Sequence, residues 1–386
     1  MKAFPEHSTF NGYVREDGRV GTRNYLGVLV AGNCAAIAAR QVAAWFTPER
    51  LAAWPNVDGV VPFVHELGCG MEKSGEPMDL LRRTLGGTIR NANLAGAVVM
   101  ALGCERNNIY GFLEQERLEC GPTLQTVVLQ EVGGTRAAIG QGIAAVRGML
   151  DGANSVTRSE ASLRNLAVGL IAARSPSQRV ALVALGHAVD RLVAAGGTAI
   201  LTDTVSGASA LGSRSATAEV RSELEKRVAW WLGYFDGRDT AASRNPAASD
   251  SALTHSGSNP LQAVFTYGQA VPAQGLVLMD SPAHEGVAAS GLVASGATLV
   301  TTASTEVSIF GAAGAPTLKI GLDAEQYARF ADDLDIDGSA ADAGPEELGD
   351  AIFRHWIACA SGEPTRSEEL GVGDSGFIPW SIGVMA

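Results

Sequence analysis

The 386-residue sequence is poor in charge, and its basic residues are outnumbered. Charged side chains make up 18% of the chain, with 29 Lys and Arg against 41 Asp and Glu. The resulting net charge of −12 argues against binding to nucleic acid or to an anionic membrane surface. No apolar run reaches the roughly 20 residues that span a bilayer, and the N-terminus has no apolar signal core. We therefore expect a cytoplasmic protein with no nucleic-acid partner and no membrane partner.

Cysteine is scarce as well, with five residues that are spread widely: Cys34, Cys69, Cys104, Cys120 and Cys359. An odd, dispersed set in a chain of this length excludes a disulfide framework, and no CxxC zinc motif is present. Glycine, by contrast, is abundant at 46 residues, and 46% of the chain is hydrophobic. This composition is typical of well-covered α/β layers with many tight turns.

Short apolar runs alternate with longer helical patterns along the chain. The runs are continuous rather than alternating, which is typical of buried parallel strands, and helices between them imply right-handed βαβ units. The clearest predicted strands are 25–33, 57–65, 94–103, 124–131, 275–280, 297–303 and 316–321. We predict an α/β protein of two Rossmann-like or flavodoxin-like domains with mostly parallel sheets, at 1–160 and 161–386.

Polar or thiol side chains follow each predicted strand of the first domain. They are Asn33 and Cys34, His65 and Cys69, Cys104 and Glu105, and Glu131 with Gly133 and Gly134. Ligands of open α/β sheets bind at the carboxyl ends of the strands. Imidazole, thiolate and carboxylate together suit a transition metal, so His65, Cys69, Cys104 and Glu105 are candidate ligands.

Each of these residues also has a structural interpretation, and the sequence leaves both open. His65 can cap its strand end, and Cys34 and Cys104 are small and apolar enough for a core. Glu105 and Glu131 can accept hydrogen bonds from the backbone N–H groups of their Gly-rich turns.

Two further groups attract attention for their charge. Arg19 and Arg23, just ahead of the first strand, suit a substrate carboxylate but equally suit surface or interdomain ion pairs. Gly133 and Gly134 open a predicted helix whose N-terminus can bind an anion.

The segment “DSPAHEG” (280–286) is predicted as one loop after a strand. It brings His284 and Glu285 together as an acid–base pair, or as part of a solvated loop with capping acids.

Several of these motifs together resemble the altronate/galactarate dehydratase family, which is related to sulfolactate sulfo-lyase large subunits. They include “GYVREDGRVGTRNYLGVLVAGNCAA”, “HELGCGM”, “LGCERNNI”, “QEVGGT” and “FIPWSIGVMA”, in the family's order from residue 12 to the end. The resemblance implies two α/β domains and a lyase of carbohydrate-acid breakdown that eliminates water or sulfite from a small hydroxy acid. It also implies a divalent metal, most commonly iron.

The resemblance assigns roles as well. His65 and Glu131 would be catalytic, with His284 and Glu285 as a replacement acid–base group. Arg19, Arg23, Asn33, Gly133 and Gly134 would bind substrate. Family members also use a small β-rich domain, either fused or separate, so we expect a separate small subunit here. A homo-oligomer is in keeping with a cytosolic enzyme of this class.

The sequence departs from the family mainly in the second domain. The family's Cys-Gly-Gly-Ser-Asp segment has Leu170 in place of the Cys and Arg174 in place of the Asp. Leu182 and Val183 replace its Asn-Pro. Glu306 replaces an Arg, a charge reversal that would repel an anionic substrate by several kcal/mol in a desolvated pocket.

Three smaller departures complete the set. The segment “SALTHSGSN” (251–259) lacks a Lys, Asp337–Gly338–Ser339 replaces Asn-Cys-Gly, and Asn91 replaces a His. Because these segments are expected to carry substrate and chemistry, a second hypothesis is an inactive paralogue that serves as a scaffold or regulatory subunit. A third is a different small-molecule activity in the same cleft.

Overall fold

The computed structural model describes residues 9–172, 179–203, 208–237, 255–304, 308–339, 344–373 and 376–383. These residues form two parallel sheets, of four and seven strands, and one three-stranded antiparallel sheet. The α/β prediction with two mostly parallel sheets is confirmed. None of the described helices is long and apolar enough to cross a membrane.

The first parallel sheet has the order β4-β3-β5-β6. Its strands are β3 Tyr25–Val30, β4 Gly59–Phe63, β5 Leu94–Ala101 and β6 Leu124–Val128. Its helices are α1 Ala36–Trp45, α2 Pro48–Leu51, α3 Glu76–Ile89, α4 Ile109–Gln115 and α5 Thr135–Ser155. Helices α1 and α5 pack on one face and α3 and α4 on the other, so both faces of each strand are apolar.

The second parallel sheet has the order β10-β11-β9-β8-β12-β13-β14. Its strands are β8 Ala167–Ala172, β9 Thr198–Asp203, β10 Leu261–Phe265, β11 Gly275–Asp280, β12 Leu299–Ser304, β13 Thr317–Gly321 and β14 Ile336–Asp337. Its helices are α6 Arg179–Ala194, α7 Ala218–Phe235, α8 Glu285–Ser295, α9 Ala324–Arg329, α10 Pro345–Ala360 and α11 Arg366–Glu369.

A small antiparallel sheet, β2-β1-β7, was not predicted. It consists of β1 Thr9–Val14, β2 Val20–Gly21 and β7 Arg158–Ser162. Strand β7 follows α5 and returns the chain to pair with β1, so this sheet joins the beginning of the first domain to its end.

Two buried asparagines connect the domains. The Asn93 amide donates to the carbonyl oxygens of Thr298 and Gly314, each at 2.9 Å. The Asn91 amide donates to two carbonyls at and just after the end of α8. Helices α3 and α8 also meet closely, because a Cβ on Gly87 would lie 2.2 Å from the carbonyl oxygen of Ala294.

One sequence expectation is wrong. Residues 280–286 were predicted as one loop, but Asp280 ends β11, His284 is the N-cap of α8 and Glu285 is its first helical residue. Residues 286–295 are all buried. A helix that is apolar on every side shows no amphipathic period, so the sequence gave no helical signal there.

Candidate functional site

The predicted site residues of the first domain lie at the carboxyl edge of its sheet. Strand β3 is flanked by β4 and β5, so the chain direction across the sheet reverses between β3 and β5. Ligands of open α/β sheets bind in the crevice at such a reversal. Cys34 follows β3 and Cys104 follows β5, so both flank this crevice.

The turns after β3, β4 and β5 are bonded to one another through main-chain atoms. The Asn33 N–H donates to the Leu67 carbonyl at 2.9 Å, and the Asn107 N–H donates to the Gly68 carbonyl at 3.0 Å. The Asn107 side chain reaches across to the Ala31 carbonyl at 2.9 Å. The three turns therefore form one connected rim, which we call the three-turn rim (31–35, 65–70 and 102–107).

Glycine allows two of these turns to touch. Gly68 has a φ of 95°, and a Cβ there would lie 2.5 Å from both the Ala31 oxygen and the Gly32 Cα. Gly32 in turn packs on Glu105, whose Cγ would lie 2.5 Å from an added Cβ. A side chain at either position would push the turns apart.

His65 is buried, and both of its ring nitrogens bond to main chain. The Leu67 N–H donates to Nδ1 at 3.1 Å, which leaves the proton on Nε2, 3.0 Å from the Val30 carbonyl. Burial lowers the pKa of His65 to about 4, and the Val30 bond offsets part of that effect. The imidazole is thus neutral and ties β3 to the turn after β4. Its metal and catalytic roles stay predictions, and the contacts favour the structural alternative.

Glu105 is similarly engaged. Its carboxylate accepts hydrogen bonds from the N–H groups of Leu102 and Gly103, the latter at 2.7 Å. This is the structural alternative foreseen for Glu105, and it fixes the turn that carries Cys104.

The cysteines behave differently from the core alternative, which is wrong for both residues concerned. Cys34 and Cys104 are exposed, and Cys69 is half-buried. The Cys34 and Cys69 sulfurs lie 3.4 Å apart. Burial and the neighbouring Cys34 raise the pKa of the Cys69 thiol to about 11, with smaller contributions from Glu105 and Cys104. All three thiols therefore lie on the three-turn rim, close enough to influence one another.

The predicted ligands are not already arranged around one ion. Within the described ranges, no three His, Cys, Asp or Glu side chains are grouped so that they could hold a metal ion. The thiols have the donor chemistry for iron, whereas His65 and Glu105 spend their donor atoms on main-chain N–H and C=O groups.

The fourth strand end lies next to the rim. Glu131 is exposed and accepts a hydrogen bond from the Tyr110 hydroxyl at 2.9 Å. Gly133 and Gly134 have φ values of 91° and 105°, and a Cβ on either would meet nothing within 4 Å. The start of α5 is therefore open, as an anion site would require, and substrate binding there stays a prediction.

The two predicted arginines lie at the opposite edge. Arg23 precedes β3, whose six residues place it roughly 20 Å from Cys34. Its five N–H groups are all taken, chiefly by the Glu368 carboxylate at 2.7 and 2.8 Å and by main-chain carbonyls. Arg19 is exposed and pairs with Asp17 at 2.6 Å. These contacts match the ion-pair alternative, and Arg23 has no donor left for a substrate.

A cleft of about 840 Å³ lies at this same opposite edge. Tyr25, Trp54, Asp58 and Glu368 are among the residues that line it. It contains none of the strand-end residues, so we do not identify it with the site.

In the second domain, Asp280 is a structural residue. Its buried carboxylate accepts hydrogen bonds from Arg227 at 2.8 Å, from the Trp231 indole at 3.0 Å and from the Tyr267 N–H at 2.7 Å. Burial raises its pKa, and Arg227 opposes that shift. His284 is exposed, and its Nδ1 accepts a hydrogen bond from the Val287 N–H at the start of α8.

Sequence reasoning missed Lys319, the polar residue that gives Glu285 a partner. Lys319 is only 3% exposed, and its Nζ donates to the Ser308 carbonyl at 2.6 Å. Burial lowers the pKa of Lys319, and the nearby Glu285 opposes the shift. Burial likewise raises the pKa of Glu285, against Ser308 and Lys319. A lysine inside the apolar run “PTLKIG” was the available signal, since lysine is almost never buried without a partner.

The two carboxyl edges meet along one segment near the C-terminus. The Phe377 ring lies 5.4 Å from that of Phe63 and 6.1 Å from that of His65. The next residue, Ile378, donates its N–H to the Ser290 hydroxyl in α8. This segment therefore contacts the first domain near the three-turn rim and the second domain near Glu285.

Comparison with known proteins supports this arrangement. Residues 12–154 match the family described as D-galactarate dehydratase/Altronate hydrolase, second domain. Residues 175–385 match D-galactarate/Altronate dehydratase, C-terminal.

The chain belongs to the galactarate/altronate dehydratase family.

Its similarity to curated family members is distant but extends over nearly the whole chain. It is 28% identical to altronate dehydratase of Bacillus subtilis (strain 168), over 94% of this chain and 76% of that protein. It is 27% identical to galactarate dehydratase (L-threo-forming) of Escherichia coli (strain K12), over 95% and 76% respectively. It is 23% identical to the (2R)-sulfolactate sulfo-lyase subunit beta of Chromohalobacter salexigens, over 94% and 95%.

The departures from the family fall in different places. Asn91 serves the domain contact, Leu170 is buried in β8, and Leu182 is buried in α6, so these three support the fold. Asp337 accepts hydrogen bonds from the N–H and hydroxyl of Ser339 just after β14.

The remaining departures lie partly beyond what the structure covers. Arg174, Glu306 and residues 251–254 are outside the described residues. Arg174 follows β8 and Glu306 follows β12, the two strands between which the second sheet reverses direction. By chain position, then, these two substitutions belong to the crevice of the second domain.

Proposed function

We propose that the protein is a hydro-lyase that removes water from a small hydroxy acid. The observation that carries the proposal is that both halves of the chain match a dehydratase family. The names of the relatives suggest sugar acids such as altronate or galactarate as first candidates.

Dehydration of such an acid needs two proton movements. A base removes the proton from the carbon next to the carboxylate, and the hydroxyl on the following carbon accepts a proton and leaves as water. The enol that remains tautomerises to a 2-keto acid. A divalent metal, if bound as the resemblance implies, would supply Lewis-acid stabilisation of the charge on the carboxylate.

Lys319 and Glu285 are the best supported acid–base pair. Burial shifts the lysine pKa down and the glutamate pKa up, so each group exchanges a proton more readily near neutral pH. Perturbed pairs of this kind cluster at functional sites. We assign Lys319 as the base and Glu285 as the acid, and Glu285 thereby keeps its predicted catalytic role.

The activity test compares substitutions at two lysines. The chain, purified with any small subunit encoded beside it, is screened with altronate, galactarate and sulfolactate for 2-keto acid formation. We expect Lys319→Met to lower kcat at least roughly 100-fold, since positioned acid–base groups contribute about 10²–10⁴-fold. Lys226→Met is the control, because Lys226 is exposed on α7.

The outcomes are distinct. Equal activity of Lys319→Met and the wild type would remove Lys319 from the mechanism. No turnover of any acid by the wild type would favour the inactive scaffold or regulatory subunit. Circular dichroism of both variants checks that they are folded.

We also propose a small partner subunit for the active form. The support is the similarity to a protein that is itself named as one subunit, the beta subunit of a sulfo-lyase, over 95% of its length. Co-purification of the tagged chain followed by intact mass measurement tests this, and a chain that turns over substrate alone would contradict it.

A further inference from the structure

We propose that Cys34, Cys69 and Cys104 form a thiolate site for one thiophilic transition-metal ion. The proposal deepens the proposed function because it names the residues that would hold a metal. It replaces the ligand set predicted from the sequence, which included His65 and Glu105.

The argument begins with position. The three cysteines come from the turns after three neighbouring strands, β4, β3 and β5, at the point where the first sheet reverses direction. All three are free, and none is in the core. A thiol that served only packing would be buried, as Cys359 is.

The second step is preorganisation. The turns that carry the cysteines are joined by four hydrogen bonds to main-chain carbonyls, of 2.9 to 3.0 Å, including the one from His65 to Val30. His65 and Glu105 therefore act as positioning residues. They hold the turns beneath the thiols, as partners outside the ligand set commonly do in metal sites.

The third step is the distance between donors. The Cys34 and Cys69 sulfurs are 3.4 Å apart, close to the separation of about 3.8 Å between two thiolates on a tetrahedral ion with bonds of about 2.3 Å. Cys104 must turn toward this pair to complete the set. An exposed side chain changes rotamer freely on the picosecond to nanosecond timescale.

Thiolates are soft ligands that select iron, zinc and similar ions over magnesium or calcium. Each thiol releases its proton to solvent when its thiolate binds the ion. Three protein ligands leave a further coordination position open for water or substrate, as in catalytic rather than structural metal sites.

Cobalt(II) is the probe, because its thiolate complexes absorb by charge transfer in proportion to the number of sulfur ligands. The full chain is titrated with Co²⁺ without oxygen and with a phosphine reductant. We expect one Co²⁺ per chain, displaced by Zn²⁺ or Fe²⁺. Cys34→Ser, Cys69→Ser and Cys104→Ser should each lose about a third of the absorption. Each should also bind at least roughly tenfold more weakly, since even loss of an outer partner costs 10–100-fold.

Cys120→Ser is the matched control, because Cys120 is also exposed in the first domain but lies outside the three-turn rim. It should bind Co²⁺ like the wild type. The proposal is overturned if no charge-transfer band forms, if Cys104→Ser leaves the band unchanged, or if Cys34 and Cys69 form a disulfide that excludes the ion under these conditions.

Metal binding and catalysis are tested separately. Lys319→Met should bind Co²⁺ normally even though it lacks activity. A wild type that binds Co²⁺ but dehydrates no acid would contradict the proposed function and leave the thiolate site standing.

Discussion

Arg23 and Lys319 are both buried cations, but only Arg23 is fully paired. The Arg23 guanidinium makes a two-point contact with Glu368 and fills its remaining donors with carbonyl oxygens. Lys319 donates to the Ser308 carbonyl and has Glu285 nearby without a direct ion pair. The first arrangement holds structure in place, and the second leaves a proton free to move.

The Arg23–Glu368 pair predicts a pH-dependent stability. Burial alone would raise the pKa of Glu368, but the hydrogen bonds and charge of Arg23 lower it below its usual value of 4.5. The pair therefore stabilises the fold fully above pH 4.5, and this contribution is lost as the pH falls through the lower, folded-state pKa.

We expect Glu368→Gln to lower the free energy of unfolding by about 3 kcal/mol at pH 7, because it leaves a buried charge without its partner. The difference in Tm from the wild type should shrink as the pH falls below 4.5. Glu369→Gln is the control, since Glu369 makes only an exposed pair with Arg366. A difference that grows on acidification would refute the assigned direction of the pKa shift.

Among the packed elements, the contact between α3 and α8 depends on a residue without a side chain. The Gly87 Cα faces the main chain of α8 so closely that an added Cβ would lie 2.2 Å from a backbone oxygen. Backbone atoms cannot rotate aside, so the helices must separate.

Gly87→Ala should lower the free energy of unfolding by about 1–3 kcal/mol, the usual range for overpacking. Gly148→Ala in α5 should instead raise it by about 0.5–1 kcal/mol, because Gly148 has nothing within 4 Å of an added Cβ and alanine favours the helix. Urea denaturation of both variants gives the comparison. A Gly87→Ala variant as stable as Gly148→Ala would show that the helices are not in close contact.

The elements also show which features the sequence reveals. The strands of the first sheet were predicted within a few residues, because continuous apolar runs between helical patterns have few other interpretations. Helix α8 was missed because burial on all sides removes the amphipathic period. The β1–β7 pairing was missed because it joins residues about 150 positions apart, and nothing local signals such a contact.

For the site, the sequence indicated the strand ends but not which atoms would be free. The spacing of His65 and Cys69 suggested one ligand set, yet the structure shows the imidazole bonded to main chain at both nitrogens. Hydrogen-bond partners distant in sequence, such as Val30, decide whether a polar side chain is available. Residue type and spacing do not carry that information.

The two domains together depend on Asn93. Its carbonyl oxygen accepts from Thr22 and Arg23 in the first domain, while its amide donates to Thr298 and Gly314 in the second. Removing the side chain leaves several buried groups without partners, at about 1–3 kcal/mol each.

We expect Asn93→Ala to lower the Tm and to split the single calorimetric transition of the wild type into two, as the domains uncouple. Asn165→Ala should leave one transition, because Asn165 bonds only within its own exposed turn. A single, unshifted transition for Asn93→Ala would show that the domains are held together by other contacts.

The three-turn rim has a consequence for how this family diverges. Most of its cross-links end on main-chain atoms, which substitution does not remove. Its geometry can therefore persist through extensive sequence drift, while the crevice loops of the other domain are free to acquire new side chains. Such a division lets one ancestral half keep its chemistry as the other explores new substrates, and Arg174 and Glu306 are where this lineage has done so.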